Sequence, residues 1–590
     1  MSYSYLIIIC YFISDQAFYN SSNCESSYDV FIIKTEGCNI TNISEEREII
    51  KAMSGPPEIE NCDKENQLLD SNATHIWILK DMFTNFNISD ENSLSCCYMN
   101  FSAYNNIKNI LYSTCKQFLT VIKAEHEFVR VDCSYKDSTI YSDYFVFIIG
   151  EARPKRPILE SAYNVIILGL ESLSRLNFER TMPKTAKFLK DRGAVQLKGY
   201  NKVGYNSFPN LFPLLTGRSF NSCETLQCSF IWELYRNAGY YTALGSDSVV
   251  GAMGSYEYSW PTIPTDYYLQ PFMAEANNII SHHVNVYDRR CLKNKAFYKI
   301  VLNYIKGLLQ YLSHNKDKLF GFFWEESVSH NILKKPQIMD EGYLNFFTEL
   351  ESNQLLDDTI LIVLGDHGMR WGRFAKTQQG RLEGNLPLFS ILVPTSFRET
   401  YKDAYTNFQV NSNRLTTPYD AYRTIVDLVN PKLLKNHHLK ISLKENKSNG
   451  IYHSLFLPVS ANRSCMSIGI DKAWCACDLS TAEPIQKREI VIAATVILNR
   501  INKMLADFPK CQTLTLRNIV GNANMKAVSI RERTYKVILE ATPGGGIFQG
   551  MAGRQRSQWV AFGPIMRLNK YAKETSCMES GLIKLYCVCN

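Results

Sequence analysis

The chain has 590 residues, of which 45% are hydrophobic and 21% are charged, and its formal net charge is +7 at pH 7. This composition is typical of a globular protein and excludes an intrinsically disordered chain, while the length predicts roughly two to four domains. Because the net charge is small for this length and no dense Lys/Arg run occurs, no nucleic-acid partner is predicted.

The N-terminus carries an apolar run over residues 5–13. A membrane span needs about 20 residues, so this run instead predicts a signal peptide over residues 1–17, with Ala17 as the candidate cleavage point. The usual basic segment before the run is missing, so a truncated membrane anchor or an imperfect gene model stays open as an alternative. No later stretch is long and apolar enough to predict another span.

Cysteines and glycosylation sequons both indicate the secretory route. Most of the 18 cysteines lie in residues 24–133 and 465–589, and the C-A-C and C-V-C triplets at 475–477 and 587–589 are too tight for a routine zinc knuckle. Disulfides are therefore predicted, with their pairing left open, in a secreted, extracellular or luminal protein. Glycans are predicted at eight N-x-S/T sequons, which begin at Asn20, Asn39, Asn42, Asn72, Asn87, Asn100, Asn446 and Asn462.

Residues 18–155 are polar and rich in Asn, Ser and Cys. Short apolar runs at 75–79 and 144–149 predict strands. We therefore expect a small, disulfide-linked β domain here, followed by a linker at 151–157 that its prolines and charges indicate.

From residue 160 to 455 the pattern alternates between strands and helices, which predicts an α/β domain with a largely parallel sheet. Pro183 and Gly193 mark the start and the stop of the first predicted helix. The predicted strands are 165–170, 240–244, 319–324, 359–364 and 386–393, and the predicted helices are 183–192, 230–237, 296–312, 340–355 and 418–429.

Two of these strands deliver candidate site residues to the sheet edge where open α/β proteins build their sites. The first ends at Glu171, and another runs into Gly365-Asp366-His367-Gly368. Between them, Ser207 places a hydroxyl just before a turn fixed by Pro209. Carboxylate, imidazole and hydroxyl groups suit Mn, Zn or Mg. Asp247 also follows a strand, and it is either a site residue or a turn residue.

Residues 456–590 predict a small α+β unit held by C-terminal cysteines. A helix is expected over 489–506, and strands are expected at 535–540 and 559–562, around a loop containing three consecutive glycines at 544–546.

Several ordered motifs together resemble the alkaline phosphatase and sulfatase superfamily, and within it an extracellular animal family catalogued as domain of unknown function 229. The resemblance runs from about residue 150 to the C-terminus. It implies an alkaline-phosphatase-like α/β core, flanked by a disulfide-rich N-terminal β domain and a small C-terminal α+β domain. The motifs are NVIILGLESLSRLNF, KGYNKVGYNSFPNLFPLLTG, FGFFWEESVSHN, LIVLGDHGMRWG, LTTPYDAYRTIVDL and RSCMSIGIDKAWCAC.

The resemblance also implies a metal site. Glu171, Ser207, Asp366 and His367 are similar to the one-metal set of lipoteichoic acid synthases and related phosphoglycerol transferases. They imply one divalent ion, Mn or Zn before Mg or Ca, with Ser207 as the nucleophile, because its S-F-P-N segment is similar to the T-F-P-N turn of nucleotide pyrophosphatases.

A second ion stays open in the sequence. In two-metal relatives it takes an acidic residue and a His four residues on, which Glu326 and His330 match. It also needs a later His, for which the candidates are His453, His437 and His438. Otherwise Glu326, His330 and His453 could meet the substrate. Four basic residues close to the motifs are candidates for holding an anion: Arg175, Lys202, Arg370 and Arg373.

The sequence therefore predicts a metal-dependent hydrolase or transferase acting on an anionic phosphate ester, carried for example by a glycan or a lipid. A sulfatase is the alternative chemistry, but sulfatases have Arg in their Cys/Ser-x-Pro-x-Arg motif where this chain has Leu211. A degenerate, secreted binding glycoprotein that keeps only the fold is a second alternative. A structural glycoprotein of the cell surface, which binds through its N-terminal cysteine-rich domain, is a third.

Overall fold

A computed structural model describes residues 31–42, 49, 51, 53–56, 62, 67–104, 106–149, 155–219, 228–248, 263–278, 291–445, 452–477, 487–525, 534–555, 558–569, 571, 573–578 and 582–590. The predicted signal peptide and the sequons at Asn20 and Asn446 lie outside the described residues. At the other sequons the asparagine side chains are exposed or partly exposed, which leaves room for the predicted glycans.

The N-terminal region is rich in antiparallel strands. One sheet has the order β10-β9-β5-β6 with β7 on β5, and another has the order β3-β4-β8. The predicted strands at 75–79 and 144–149 correspond to β4 and the end of β10. The strands are β1 Phe31–Lys34, β2 Asn39–Thr41, β3 Leu69–Ser71, β4 His75–Ile78, β5 Leu94–Tyr104, β6 Asn106–Tyr112, β7 Lys116–Phe118, β8 Val121–Lys123, β9 Phe128–Tyr135 and β10 Ser138–Val146.

Disulfides link this region to much later parts of the chain. Cys38, beside the β1–β2 hairpin, bonds to Cys477, and Cys62 bonds to Cys291. The hairpin packs in one apolar cluster with Trp474. Residues 18–155 are thus partly held by later segments, which cysteine spacing could not reveal because the first bond spans 439 residues. The domain boundaries near residues 17, 155 and 455 remain predictions from the sequence.

A seven-stranded sheet of order β12-β20-β19-β11-β18-β14-β15 forms the centre of the structure. Strands β19, β11, β18, β14 and β15 are parallel, whereas β20 and β12 at one edge are antiparallel to their neighbours. The largely parallel α/β core is confirmed. The strands of this part of the chain are β11 Asn164–Leu170, β12 Val195–Gln196, β13 Gly199–Tyr200, β14 Tyr241–Ser246, β15 Tyr267–Tyr268, β16 Cys291–Leu292, β17 Lys295–Ala296, β18 Leu319–Glu325, β19 Thr359–Leu364, β20 Phe389–Leu392 and β21 Leu415–Thr416.

Helices cover both faces of this sheet, which explains why its strands are continuously apolar. Ile166 and Leu168 of β11 point into one apolar cluster and Val165 and Ile167 into another, as the two-residue period of a strand requires. The helices are α1 Arg175–Thr181, α2 Pro183–Asp191, α3 Ser207–Thr216, α4 Ile231–Asn237, α5 Gln270–Asn278, α6 Phe297–His314, α7 Asp340–Ser352, α8 Gln378–Asn385, α9 Thr395–Thr400, α10 Lys402–Asn411, α11 Pro418–Asp427, α12 Asn436–Glu445 and α13 Lys487–Leu505.

One local prediction was wrong. The segment after Ser207 is not a turn fixed by Pro209, since Ser207 is the first residue of α3. Proline is tolerated there because the N–H groups of a first helical turn have no intrahelical partners to lose.

The C-terminal region is a helix on an antiparallel sheet, as its sequence predicts. Strands β22 Thr515–Met525, β23 Thr534–Thr542, β24 Ile547–Gln555 and β25 Gln558–Arg567 follow one another in the sheet, and α13 contributes to their apolar core. The disulfides Cys511–Cys587 and Cys577–Cys589 close its end. Among the helices described, none combines the length and the apolar character that crossing a membrane requires.

Candidate active site

The candidate residues meet at the carboxyl edge of the central sheet. Strands β11 and β19 are parallel neighbours, so Glu171 and the Asp366-His367 pair follow them on the same side. Ser207 Oγ donates a hydrogen bond to Glu171 Oε1 at 2.7 Å. One potential ligand atom from each of Glu171, Asp366 and His367 lies within 4.8 Å of the others, and all three residues are buried.

One oxygen of each carboxylate is fixed by a protein donor. The indole Nε1 of Trp324 donates to Glu171 Oε2 at 3.0 Å, and the backbone N–H of Ser172 donates to Asp366 Oδ1 at 3.0 Å. Gly169 makes room for that indole, because a Cβ there would lie 1.8 Å from the ring of Trp324. Ser172 has a φ of 59°, a left-handed conformation that is costly for a non-glycine residue and is concentrated at functional sites.

The Gly-Asp-His-Gly segment is shaped by close backbone packing. A Cβ at Gly365 would lie 2.3 Å from the carbonyl oxygen of Leu173. His367 Nδ1 lies 2.9 Å from the carbonyl oxygen of Gly368. Because a carbonyl can only accept, Nδ1 carries the hydrogen, and the lone pair of Nε2 is directed toward the carboxylates.

When Asp366 is ionised, two lone-pair acceptors therefore face each other without a hydrogen between them. His367 Nε2 lies 3.0 Å from Asp366 Oδ2 and 3.6 Å from Glu171 Oε1. Among the described residues neither Nε2 nor Oδ2 has a hydrogen-bond partner. A metal ion satisfies such an arrangement, since neutral imidazole and carboxylates are its usual ligands. The residues present thus fit one divalent cation.

The electrostatics of the protein without a cation support this fit. Burial, together with the charges of Asp366 and Glu326, raises the pKa of Glu171 well above its usual value. Burial also raises the pKa of Asp366. Burial and the positive charges of Arg370 and Lys202 lower the pKa of His367 well below its usual value. A cation at this place would offset the repulsion between the acids and would meet a neutral imidazole.

Asn210 and Arg370 position the start of α3. Asn210 Oδ1 accepts from the N–H groups of Val203 and Gly204 at 2.8 and 2.9 Å, and its amide donates to the carbonyl of Asn206 at 2.8 Å. Arg370 donates to the Asn206 side chain. Because Asn206 is occupied in this way, its side chain does not cap α3, and the first N–H groups of the helix stay available for an anion.

Glu326 and His330 lie beside this cluster but outside it. Neither belongs to a described group of three or more potential ligand atoms within 4.8 Å. Asp247 positions this segment, since its carboxylate accepts from the N–H of Glu326 at 2.8 Å and from Ser327 Oγ at 2.6 Å. Burial and the charge of Asp247 raise the pKa of Glu326 to about 8. Among the described residues, Glu326 and His330 thus do not form a second cation site with a third ligand.

The raised pKa of Glu326 predicts a pH dependence of stability without metal. The folded state keeps a proton on Glu326 up to about pH 8, whereas the unfolded chain loses it near pH 4.5. The contribution of protonated Glu326 to the free energy of unfolding is therefore lost as pH rises from about 4.5 to about 8. Thermal unfolding of EDTA-treated protein should be measured at pH 5 and at pH 8. The unfolding temperature of Glu326→Gln should fall less from pH 5 to pH 8 than that of the wild type. Parallel pH profiles would contradict the prediction.

Two candidates from the sequence lie in other surroundings. Arg175 pairs with Glu179 at 3.2 Å along α1. His453 directs Nε2 to the carbonyl of Pro458 at 3.0 Å, and no described contact joins it to Glu171, Asp366 or His367. The candidate third histidine therefore does not complete a second metal site in this conformation.

Sequence reasoning missed Trp324 and Asn210 as supporting residues. Trp324 lies near the end of β18, where the strand-end rule that selected Glu171 could also have drawn attention to it. Asn210 closes the S-F-P-N segment that the sequence analysis singles out, but its role was not predicted, because its four hydrogen bonds depend on how the loop folds at the start of the helix.

Comparisons with known proteins agree with the motifs. A family model described as "Protein of unknown function (DUF229)" matches residues 56–520. No curated protein matches the sequence.

Similar solved structures share 12–13% identity with the chain at TM-scores near 0.3. The lipoteichoic acid synthase LtaP from Listeria monocytogenes has 12% identity and a TM-score of 0.32, with 40% of this chain and 66% of that one covered, just under two thirds. A protein in the alkaline phosphatase superfamily from Vibrio parahaemolyticus has 13% identity and a TM-score of 0.33, with 70% of this chain and 83% of that one covered. The C-terminal periplasmic domain of phosphoethanolamine transferase EptC from Campylobacter jejuni has 12% identity and a TM-score of 0.30, with 46% of this chain and 95% of that one covered.

Proposed function

The chain belongs to the DUF229 family, as its motifs predicted, and from this premise we propose that it is a metal-dependent hydrolase or transferase acting on a phosphate ester. Ser207 is the proposed nucleophile, and Glu171, Asp366 and His367, with the Ser207 oxygen, are the proposed ligands of one divalent cation, Mn or Zn before Mg or Ca. The observation that carries the proposal is the 3.0 Å approach of the lone pairs of His367 Nε2 and Asp366 Oδ2 in a buried site beside a serine hydroxyl.

The proposed reaction is a substitution at phosphorus. Ser207 Oγ, after its hydroxyl proton passes to solvent, forms a bond to phosphorus as the leaving group departs with its bonding electrons. Without a cation, the hydroxyl is held by its 2.7 Å hydrogen bond to Glu171 Oε1. Water or an acceptor hydroxyl then releases the phosphoseryl group. When bound, a divalent cation would neutralise charge on the phosphate and lower the pKa of the hydroxyl.

Other residues have proposed supporting roles. The first turn of α3, which lacks a side-chain cap, offers N–H groups and the positive end of a helix to the phosphate. Arg370 adds positive charge beside the cluster. Glu326 and His330 are the residues that would meet the leaving group or a second cation.

The structure gives a reason to prefer phosphate over sulfate chemistry. Leu211 occupies the position where the sulfatase motif has Arg, and it is buried in the apolar cluster under α3. An arginine at this position would have to enter the core instead of the pocket. An unmodified serine is therefore the better-supported nucleophile.

We expect the substrate to be an anionic ester, carried for example by a glycan or a lipid. We place the protein outside the cell or in the secretory lumen, because disulfides persist there, and those of this chain fix both its N-terminal and its C-terminal parts.

The first test is the wild-type protein itself. Mass spectrometry should detect close to one bound Mn or Zn per chain, and the same sample should release phosphate from an aryl phosphate mono- or diester faster than sulfate from an aryl sulfate. Faster sulfate release would establish the sulfatase alternative. A chain that binds no cation after careful loading would be a binding glycoprotein with a retained fold.

A further inference from the structure

Lys202 is a buried lysine without an anionic partner. It follows β13, it is 1% exposed, and its backbone N–H donates to the carbonyl of Asn385. No described residue forms a hydrogen bond or an ion pair with its ammonium group, whose neighbour is the ring of Trp474 at 4.8 Å. Burying a charge without a partner is costly, so an anion bound at this place would stabilise the charged form of Lys202.

Trp474 is held over Lys202 by a segment that hydrogen bonds and disulfides fix in place. It belongs to the RSCMSIGIDKAWCAC motif, residues 463–477, to which the proposed reaction assigns no role. Asn201 clamps this segment, donating to the carbonyl of Trp474 and accepting from the N–H of Ala476, both at 2.8 Å. The disulfides Cys465–Cys475 and Cys38–Cys477 fix it further.

Lys202 adjoins the candidate site through the next residue, Val203, whose N–H donates to Asn210 Oδ1 in the first turns of α3 at 2.8 Å. Burial, with the charges of Arg370 and Lys536, lowers the pKa of Lys202 to about 7, while Asp366 acts in the opposite direction. Lys536 is also buried and donates to the carbonyl of Ala473 in the same motif at 3.2 Å. Positive charge thus extends from the edge of the central sheet toward the C-terminal sheet.

We propose that Lys202 and Trp474 form a second anion subsite, which holds a further anionic group of the same substrate molecule. The subsite takes a carboxylate, phosphate or sulfate group placed beside the reacting ester. The C-terminal motif is then one wall of the active site, and the substrate class narrows to esters with at least two anionic groups. The inference rests on the proposed function only in placing the reacting ester at Ser207.

Calorimetric binding tests this subsite without any turnover. The Mn-loaded full chain is titrated with propylphosphonate, which has one anionic group, and with 3-phosphonopropionate, which adds a carboxylate. We expect the wild type to bind the second probe at least about tenfold more tightly, or about 1.4 kcal/mol. Lys202→Met should abolish this preference and leave the affinity for propylphosphonate unchanged within about twofold. Lys198→Met, which removes an exposed charge nearby, should keep the preference.

Thermal unfolding separates this role from a structural one. Lys202→Met keeps the length of the side chain and removes an unpaired buried charge, so the variant should unfold at a higher temperature than the wild type. A lower unfolding temperature, or a preference that survives in Lys202→Met, would overturn the subsite. A wild type that shows the preference but turns over no ester would overturn the proposed reaction and leave the subsite standing.

Discussion

Ser207→Ala should lower turnover of an aryl phosphate by about 10³-fold or more while the protein keeps its bound cation. The variant loses the oxygen that forms the bond to phosphorus, but Glu171, Asp366 and His367 still offer their ligand atoms. The indole of Trp324 continues to orient Glu171 through Oε2. Single-turnover assays on metal-loaded protein, with metal content measured on the same samples, provide the measurement.

A matched control distinguishes chemistry from folding. Ser219→Ala removes a hydroxyl just beyond α3 and should leave turnover unchanged. Trapping of a phosphoryl group by acid quench should label the wild type and not Ser207→Ala. Equal turnover by Ser207→Ala and the wild type would remove Ser207 from the mechanism and would point to direct attack by water.

Asp366→Asn should lower the affinity for the cation by at least about 100-fold and abolish turnover with it. Losing a hydrogen-bond partner of a metal ligand already costs about 10- to 100-fold, and here the ligand itself loses its charge. The amide oxygen can still accept from the N–H of Ser172, as Asp366 Oδ1 does at 3.0 Å, so the loop should keep its shape. Metal titration followed by calorimetry gives the affinities.

The stability of the cation-free protein gives a second test of Asp366→Asn. Here the substitution should stabilise the protein, whereas it weakens cation binding. In EDTA, Asp366→Asn should be more stable than the wild type near neutral pH, because burial disfavours the charged form of Asp366 and the substitution removes that charge. Added cation at 100 times its dissociation constant should stabilise the wild type by about 2.7 kcal/mol and the variant hardly at all. The exposed Asp357→Asn serves as control. Equal stabilisation of both proteins by the cation would place the metal elsewhere.

Local sequence patterns were sufficient for much of the fold. Continuous apolar runs predicted the buried strands β11, β18 and β19, because only strands covered on both faces can be apolar throughout. Pro183 at the first helical position and Gly193 beyond the end bounded α2. The antiparallel direction of β20 was not predicted, since an apolar run of four residues carries no information on the direction of its neighbour.

For the candidate site, the sequence by itself determined which side chains take part. Strand ends and motif order selected Glu171, Ser207, Asp366 and His367, because parallel strands present their carboxyl ends at one edge. Only the tertiary structure decided which atoms face each other. The free lone pair of His367 depends on the Gly368 carbonyl, and the isolation of Lys202 beneath Trp474 depends on segments more than 250 residues apart, as the Asn201–Trp474 bond spans 273. Distances, tautomers and unpaired charges arise from such long-range packing, which no local pattern encodes.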